Sequence, residues 1–156
     1  RGGTQISGNL FAHPKGVVGQ LKTKIIEVLK DYLSSLNGDA SHPFLRYINM
    51  DCRFTGAWST ILNREGFDGN HIHEEGWISG VYYVKVPGIV ERHKTGEEGC
   101  IQFGEPPSRF ISGLNKAQKL IRPEIGKVIF FPSYYWHGVR SFNGPGQRHS
   151  ISFDII

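Results

Sequence analysis

Cysteine is scarce. The 156-residue chain has two, Cys52 and Cys100, far apart and outside any CxxC pair. That count excludes a disulfide-stapled scaffold, and both read as free thiols of a reducing, cytoplasmic compartment. Long apolar runs are missing as well. None approaches ~20 residues, so no membrane partner is expected. No signal-peptide pattern heads the chain, and its start at Arg1-Gly2-Gly3 is that expected of an excised or processed piece. Repeats, low-complexity tracts and linkers are also lacking, so residues 1–156 are expected to form a single domain. Nor is there a strong charge of either sign, with 18 Lys and Arg against 14 Asp and Glu. Lys22, Lys24 and Lys30 fall on one predicted helix and read as its solvated face. No nucleic-acid partner is expected, and the small positive excess favours an anionic ligand.

What is present is a 38% apolar chain with 20 spread glycines, a pattern that suits many short strands joined by turns. One segment is helical in period. In residues 17–36, Val18, Leu21, Ile25, Leu29, Leu33 and Leu36 recur at threes and fours and make one apolar stripe, and Asn37-Gly38 supplies a stop. After it the pattern turns to strands. "RYINMDCRF" with "GAWSTILNREG" reads as a hairpin-like pair. "NHIHEE", "GWISGVYYVKVP", "GCIQFGEPP", "GKVIFFPS" and "RHSISFDII" read as further strands. A sandwich or jelly roll follows, with the helix packed on the outside of a sheet. Residues 88–98 and 104–122 are expected to be long loops, candidates for a lid.

Three histidines stand out. Residues i and i+2 of a strand share a face, so His71 and His73 are expected to project together. Alone, an HxH pair reads better as ordinary surface or core histidines than as a metal site. His137, just past the "GKVIFFPS" strand, makes a third imidazole, the count that a non-haem iron, zinc or copper site wants. His13, His42 and His93 lie outside these motifs and read as solvated. In the terminal strand, Arg148, Ser150, Ser152 and Asp154 share one face, and His149, Ile151, Phe153 and Ile155 share the other. The apolar face is expected to pack on the helix, which turns the polar face inward. A buried Arg148 then needs a partner. That partner is a carboxylate ligand held in a bidentate fork, or Asp154 or another acid of the chain. Trp77, Tyr83, Tyr134, Tyr135 and Trp136 cluster around the motifs, and core packing accounts for most of them.

Taken together, "SGVYYVKVP", "FFPSYYWHGV" and "RHSISF" resemble the Fe(II)/2-oxoglutarate-dependent oxygenases, and more distantly the aspartyl/asparaginyl β-hydroxylases. The likeness covers roughly residues 54–156. It implies a mainly β double-stranded β-helix, the jelly-roll, cupin-like fold, with the N-terminal helix packed on a core of about residues 45–156. It implies Fe(II) and 2-oxoglutarate as cofactors, with His71 and His137 as iron ligands. It implies Arg148, and Ser150 in the same RxS pattern, at the distal carboxylate of the keto acid, with Thr60 and Tyr82 as further co-substrate contacts. Most of the superfamily has a carboxylate two residues after the first histidine, and here that residue is His73. The expected set is therefore His71, His73 and His137, with Glu75 a better substitute acid than Glu74.

The function expected from the resemblance is a hydroxylase-type oxygenase acting on a small molecule or a protein side chain with molecular oxygen. Two other readings stay open at this point. One is a three-histidine dioxygenase that uses no keto acid, which His73 favours and Arg148 opposes. The other is a non-catalytic cupin-like binding domain. Substrate identity and oligomeric state are not legible in the sequence.

Overall fold

The computed structural model describes residues 2–6, 8–48, 51–92, 95–107 and 119–156. The described elements are β1 (Gly3–Ile6), α1 (Gly16–Ser34), β2 (Phe54–Leu62), β3 (Asp68–His71), β4 (Ile78–Lys85), α2 (Gly88–Arg92), β5 (Ile101–Phe103), β6 (Lys119–Ile121), β7 (Val128–Pro132), β8 (His137–Val139) and β9 (Arg148–Ile155). The strands form two antiparallel sheets, one in the order β1-β2-β9-β4-β7 and one in the order β3-β8-β5-β6. This is the two-sheet arrangement of a jelly roll. None of the described helices is long and apolar enough to cross a membrane.

The larger sheet has two buried faces, and strand alternation assigns its residues between them. Outward, Ala57, Ile78, Ile151, Phe153 and Ile155 meet Ile25, Leu29 and Leu33 of α1. The apolar face of the terminal strand thus packs on the helix, as the sequence implies. Inward, Leu62, Val81, Tyr83, Ile129 and Phe131 meet Ile101 and Phe103 of the smaller sheet. Removing this apolar surface from water supplies the main stabilisation of the stack.

Several expectations are corrected in detail. "RYINMDCRF" does not form a strand across its length: Leu45–Tyr47 is a short 3-10 turn, and only Phe54 joins β2. Residues 49 and 50 lie outside the described residues. Helix α1 ends at Ser34, capped at Ser35, ahead of the Asn37-Gly38 stop. The first expected loop holds the short α2, and the second holds β6. His93, and residues 108–118 of the second loop, lie outside the described residues. Neither Cys52, which is exposed, nor Cys100, which is buried, is in a disulfide.

Candidate metal centre

Strands β3 and β8 pair so that His71 stands directly opposite His137. This follows from a close approach of the two backbones at Gly138. A Cβ there would fall 2.8 Å from the Asp68 carbonyl oxygen and 3.2 Å from the Asn70 nitrogen. Those are backbone atoms, which cannot turn aside as a side chain can. Gly138→Ala is therefore expected to push β3 away from β8 and separate the two rings. Divalent-metal affinity measured by calorimetry should fall roughly 10-fold, the lower end of what outer-sphere disruption costs.

His73 reaches the same place by a different route from the one its spacing suggests. Strand β3 ends at His71, so His73 lies beyond the strand, tethered by its own backbone N–H to the Ser133 carbonyl at 2.9 Å. One ligand atom from each of His71, His73 and His137 lies within 4.8 Å of the others. Among the described residues this is the group that could hold a metal ion, and neither Glu74 nor Glu75 belongs to it.

The outer nitrogen of each ring faces an oxygen. His71 Nδ1 lies 2.7 Å from the Gly69 carbonyl, and His137 Nδ1 lies 2.9 Å from that of Tyr135. His73 Nδ1 lies 2.5 Å from the Asp154 carboxylate. A carbonyl only accepts, so Nδ1 carries the proton and Nε2 keeps its lone pair. In that tautomer three lone pairs converge, and the Nε2 atoms of His71 and His73 are 3.2 Å apart. Such a donor set fits a cation. Burial pushes the His137 imidazole down to about 3, against the opposing pull of its bond to Tyr135, so it is neutral at ordinary pH and free to ligate.

The same cavity is lined by Thr60, Arg148 and Ser150. Arg148 is 2% exposed, yet it makes no ion pair with an acid among the described residues. Its Nε donates to the Gly99 carbonyl at 3.2 Å and its Nη1 to Ser150 Oγ at 3.2 Å, while Nη2 is buried without a partner. The expectation that Asp154 could be its acid is corrected, because Asp154 is bonded to His73 and Ser79 instead.

Thr60 and Tyr83 stand opposite Ser150 on either side of β9, so the three form one row across the inner face. Tyr82 is not part of that row. It faces outward against the helix cluster, which corrects the expectation that it contacts the co-substrate. The inward tyrosine is Tyr83. The Arg148 guanidinium lies 4.9 Å from its ring centroid, and its hydroxyl is buried without a hydrogen-bond partner. Burial pushes that phenol up, with the Arg148 charge opposing, so it remains a proton donor. Strand period alone separates Tyr82 from Tyr83. Both faces of β4 are apolar, however, so the sequence carries no signal for which one points in.

An orphaned donor with a full positive charge, in the cavity that three convergent lone pairs also line, fits an anion bound next to a metal.

The fold and sequence have counterparts. A family model described as "Putative 2OG-Fe(II) oxygenase" matches residues 56–154, well over half of the chain. Among solved structures, a viral collagen prolyl hydroxylase from Paramecium Bursaria Chlorella virus-1, in complex with 2-oxoglutarate, is similar with a TM-score of 0.59 at 14% identity, covering 99% of this chain and 78% of that one. A prolyl-4-hydroxylase from Pseudomonas putida gives 0.55 at 11% identity, covering 97% and 70%. A 2OG-Fe(II) oxygenase family protein from Burkholderia pseudomallei gives 0.50 at 15% identity, and here the likeness covers 85% of this chain and only 55% of the other. At these identities the structures speak for the double-stranded β-helix fold. No curated protein matches the sequence. The match over residues 56–154, a span that includes the three histidines and Arg148, makes this chain a member of the 2OG-Fe(II) oxygenase family.

Proposed function

We propose that this protein is an Fe(II)- and 2-oxoglutarate-dependent oxygenase of the hydroxylase type, with His71, His73 and His137 holding the iron. The observation that carries the reading is Arg148. A buried guanidinium with a free Nη2 in the same cavity as three convergent imidazoles is costly until an anion meets it. The distal carboxylate of a keto acid supplies that anion, and a planar fork suits it better than an ammonium would.

The chain's own groups then divide the work. The histidines present three bare nitrogens from one side, which leaves the other positions to ligands. Arg148 and Ser150 anchor the keto acid, and Thr60 and Tyr83, in the same row, add donors. Phe131 and Ile101 line the cavity and keep water from it. Iron bound there supplies the redox chemistry by which the keto acid and oxygen yield succinate, carbon dioxide and an oxidised substrate C–H bond.

Anaerobic addition of Fe(II) and 2-oxoglutarate together is expected to give a visible charge-transfer band, and air should then give succinate. Iron binding without the band, and without succinate, would point to a dioxygenase that uses no keto acid. No iron binding at all would remove the enzymatic reading.

A further inference from the structure

We infer that Asp154 is a positioning residue for the metal centre, supplying through His73 the negative charge that an acid would bring as a direct ligand. The inference rests on the proposed iron site.

The geometry is specific. Asp154, on β9, stands opposite Ser79 of β4. Its Oδ1 receives His73 Nδ1 at 2.5 Å and the Ser79 hydroxyl at 2.6 Å. Ser133 lies 2.9 Å from Ser79 Oγ, and both serines are fully buried. With the carboxylate accepting from Ser79, the Ser133 hydroxyl is left to donate to Ser79. Two donors, His73 Nδ1 and Ser79 Oγ, thus meet one carboxylate oxygen, and Ser133 backs Ser79. Among the described residues Asp154 forms no ion pair with a lysine or an arginine, so its charge is not spent elsewhere. Its side chain is 18% exposed and that of His73 13%, so water screens the contact little.

Two consequences follow for His73. The bond fixes the ring's rotation and places the proton on Nδ1, which leaves Nε2 toward His71 and His137. The adjacent negative charge also makes that nitrogen a stronger donor to a cation. His71 and His137 have only backbone carbonyls at their outer nitrogens, so of the three rings His73 is the one so loaded. The site thus keeps a carboxylate, one imidazole further from the metal. The sequence pattern agrees with this, since the acid is missing at position 73 and one is supplied there by β9.

The test compares wild type with Asp154→Ala, Asp154→Asn and Ser79→Ala. It reads anaerobic Fe(II) affinity by calorimetry and the energy of the charge-transfer band formed with 2-oxoglutarate. Asp154→Ala is expected to weaken Fe(II) binding roughly 10- to 100-fold. Asp154→Asn keeps an oxygen to accept from Nδ1 but not the charge. It should recover part of the affinity while its band stays shifted to higher energy, because the iron is less electron-rich. Ser79→Ala, which leaves both ring and acid in place, should cost less than either and keeps the test available if Asp154→Ala does not fold. Wild-type affinity and band energy in Asp154→Ala would overturn the inference while leaving the iron site standing. The same result in Asp154→Asn would overturn its electrostatic half. Failure of the wild type itself to bind Fe(II) would bring down the iron site and this inference together.

Discussion

His137→Ala is expected to abolish succinate formation and to weaken Fe(II) binding by more than about 100-fold, beyond what changes outside the ligand shell cost. Two features make this residue the most sensitive of the three. It is 6% exposed, while His71 and His73 are only partly buried. It sits at the start of β8, flanked by the ring of Phe131 at 4.6 Å between centroids, so no water easily takes the place of the imidazole. Its Nδ1 is tied to the Tyr135 carbonyl, so no neighbouring side chain has to be reset when it leaves. The fold should survive, because the buried ring is held neutral and its removal strands no charge. The checks are calorimetry with Fe(II) under anaerobic conditions, and circular dichroism to show the sheet signal unchanged. Wild-type affinity in this variant would place the metal elsewhere.

Arg148→Met should separate the co-substrate from the metal. Each charge-assisted hydrogen bond lost is worth about 1.5–3 kcal/mol, or roughly 10- to 150-fold in affinity. The Kd for 2-oxoglutarate should therefore rise at least about 10-fold, while Fe(II) affinity stays within about twofold. Stability should move in a less intuitive direction. In the ligand-free protein Arg148 is a buried charge with one unsatisfied arm. An unbranched apolar side chain of similar length should cost little there and should leave the ligand-free melting temperature unchanged or raised. The wild type, in contrast, should gain about 2.7 kcal/mol at a keto-acid concentration 100 times its Kd, and the variant should not. Arg148→Lys keeps the charge but not the planar fork and should restore only part of the affinity. Unchanged binding of 2-oxoglutarate in Arg148→Met would sink the keto-acid reading.

Much of this was legible before any coordinates. The stripe in α1 shows in the spacing of Ile25, Leu29 and Leu33, all of which are buried in the helix cluster. The two faces of β9 show in the alternation from Arg148 to Ile155. Strand alternation brings His71 and His73 together on paper, but β3 stops at His71, and it is the Ser133 carbonyl that places His73 beside His71 and His137. The short strands β1, β6 and β8 were not legible. In so few residues a period barely shows, and pairing with neighbours decides these three.

By itself the sequence determined the donor types and the period along each strand. These are local properties, set by side-chain chemistry and by the two-residue repeat of extended backbone. Tertiary structure alone decided that Tyr83, not Tyr82, turns inward, because either ring suits an apolar face and the packing of α1 against one face breaks the tie. It also decided that Asp154 serves His73, 81 residues away along the chain, and leaves Arg148 without an acid. Hydrogen-bond partners so distant in sequence are chosen by how β9 registers against β4, a sum over many cross-strand contacts that no single segment encodes.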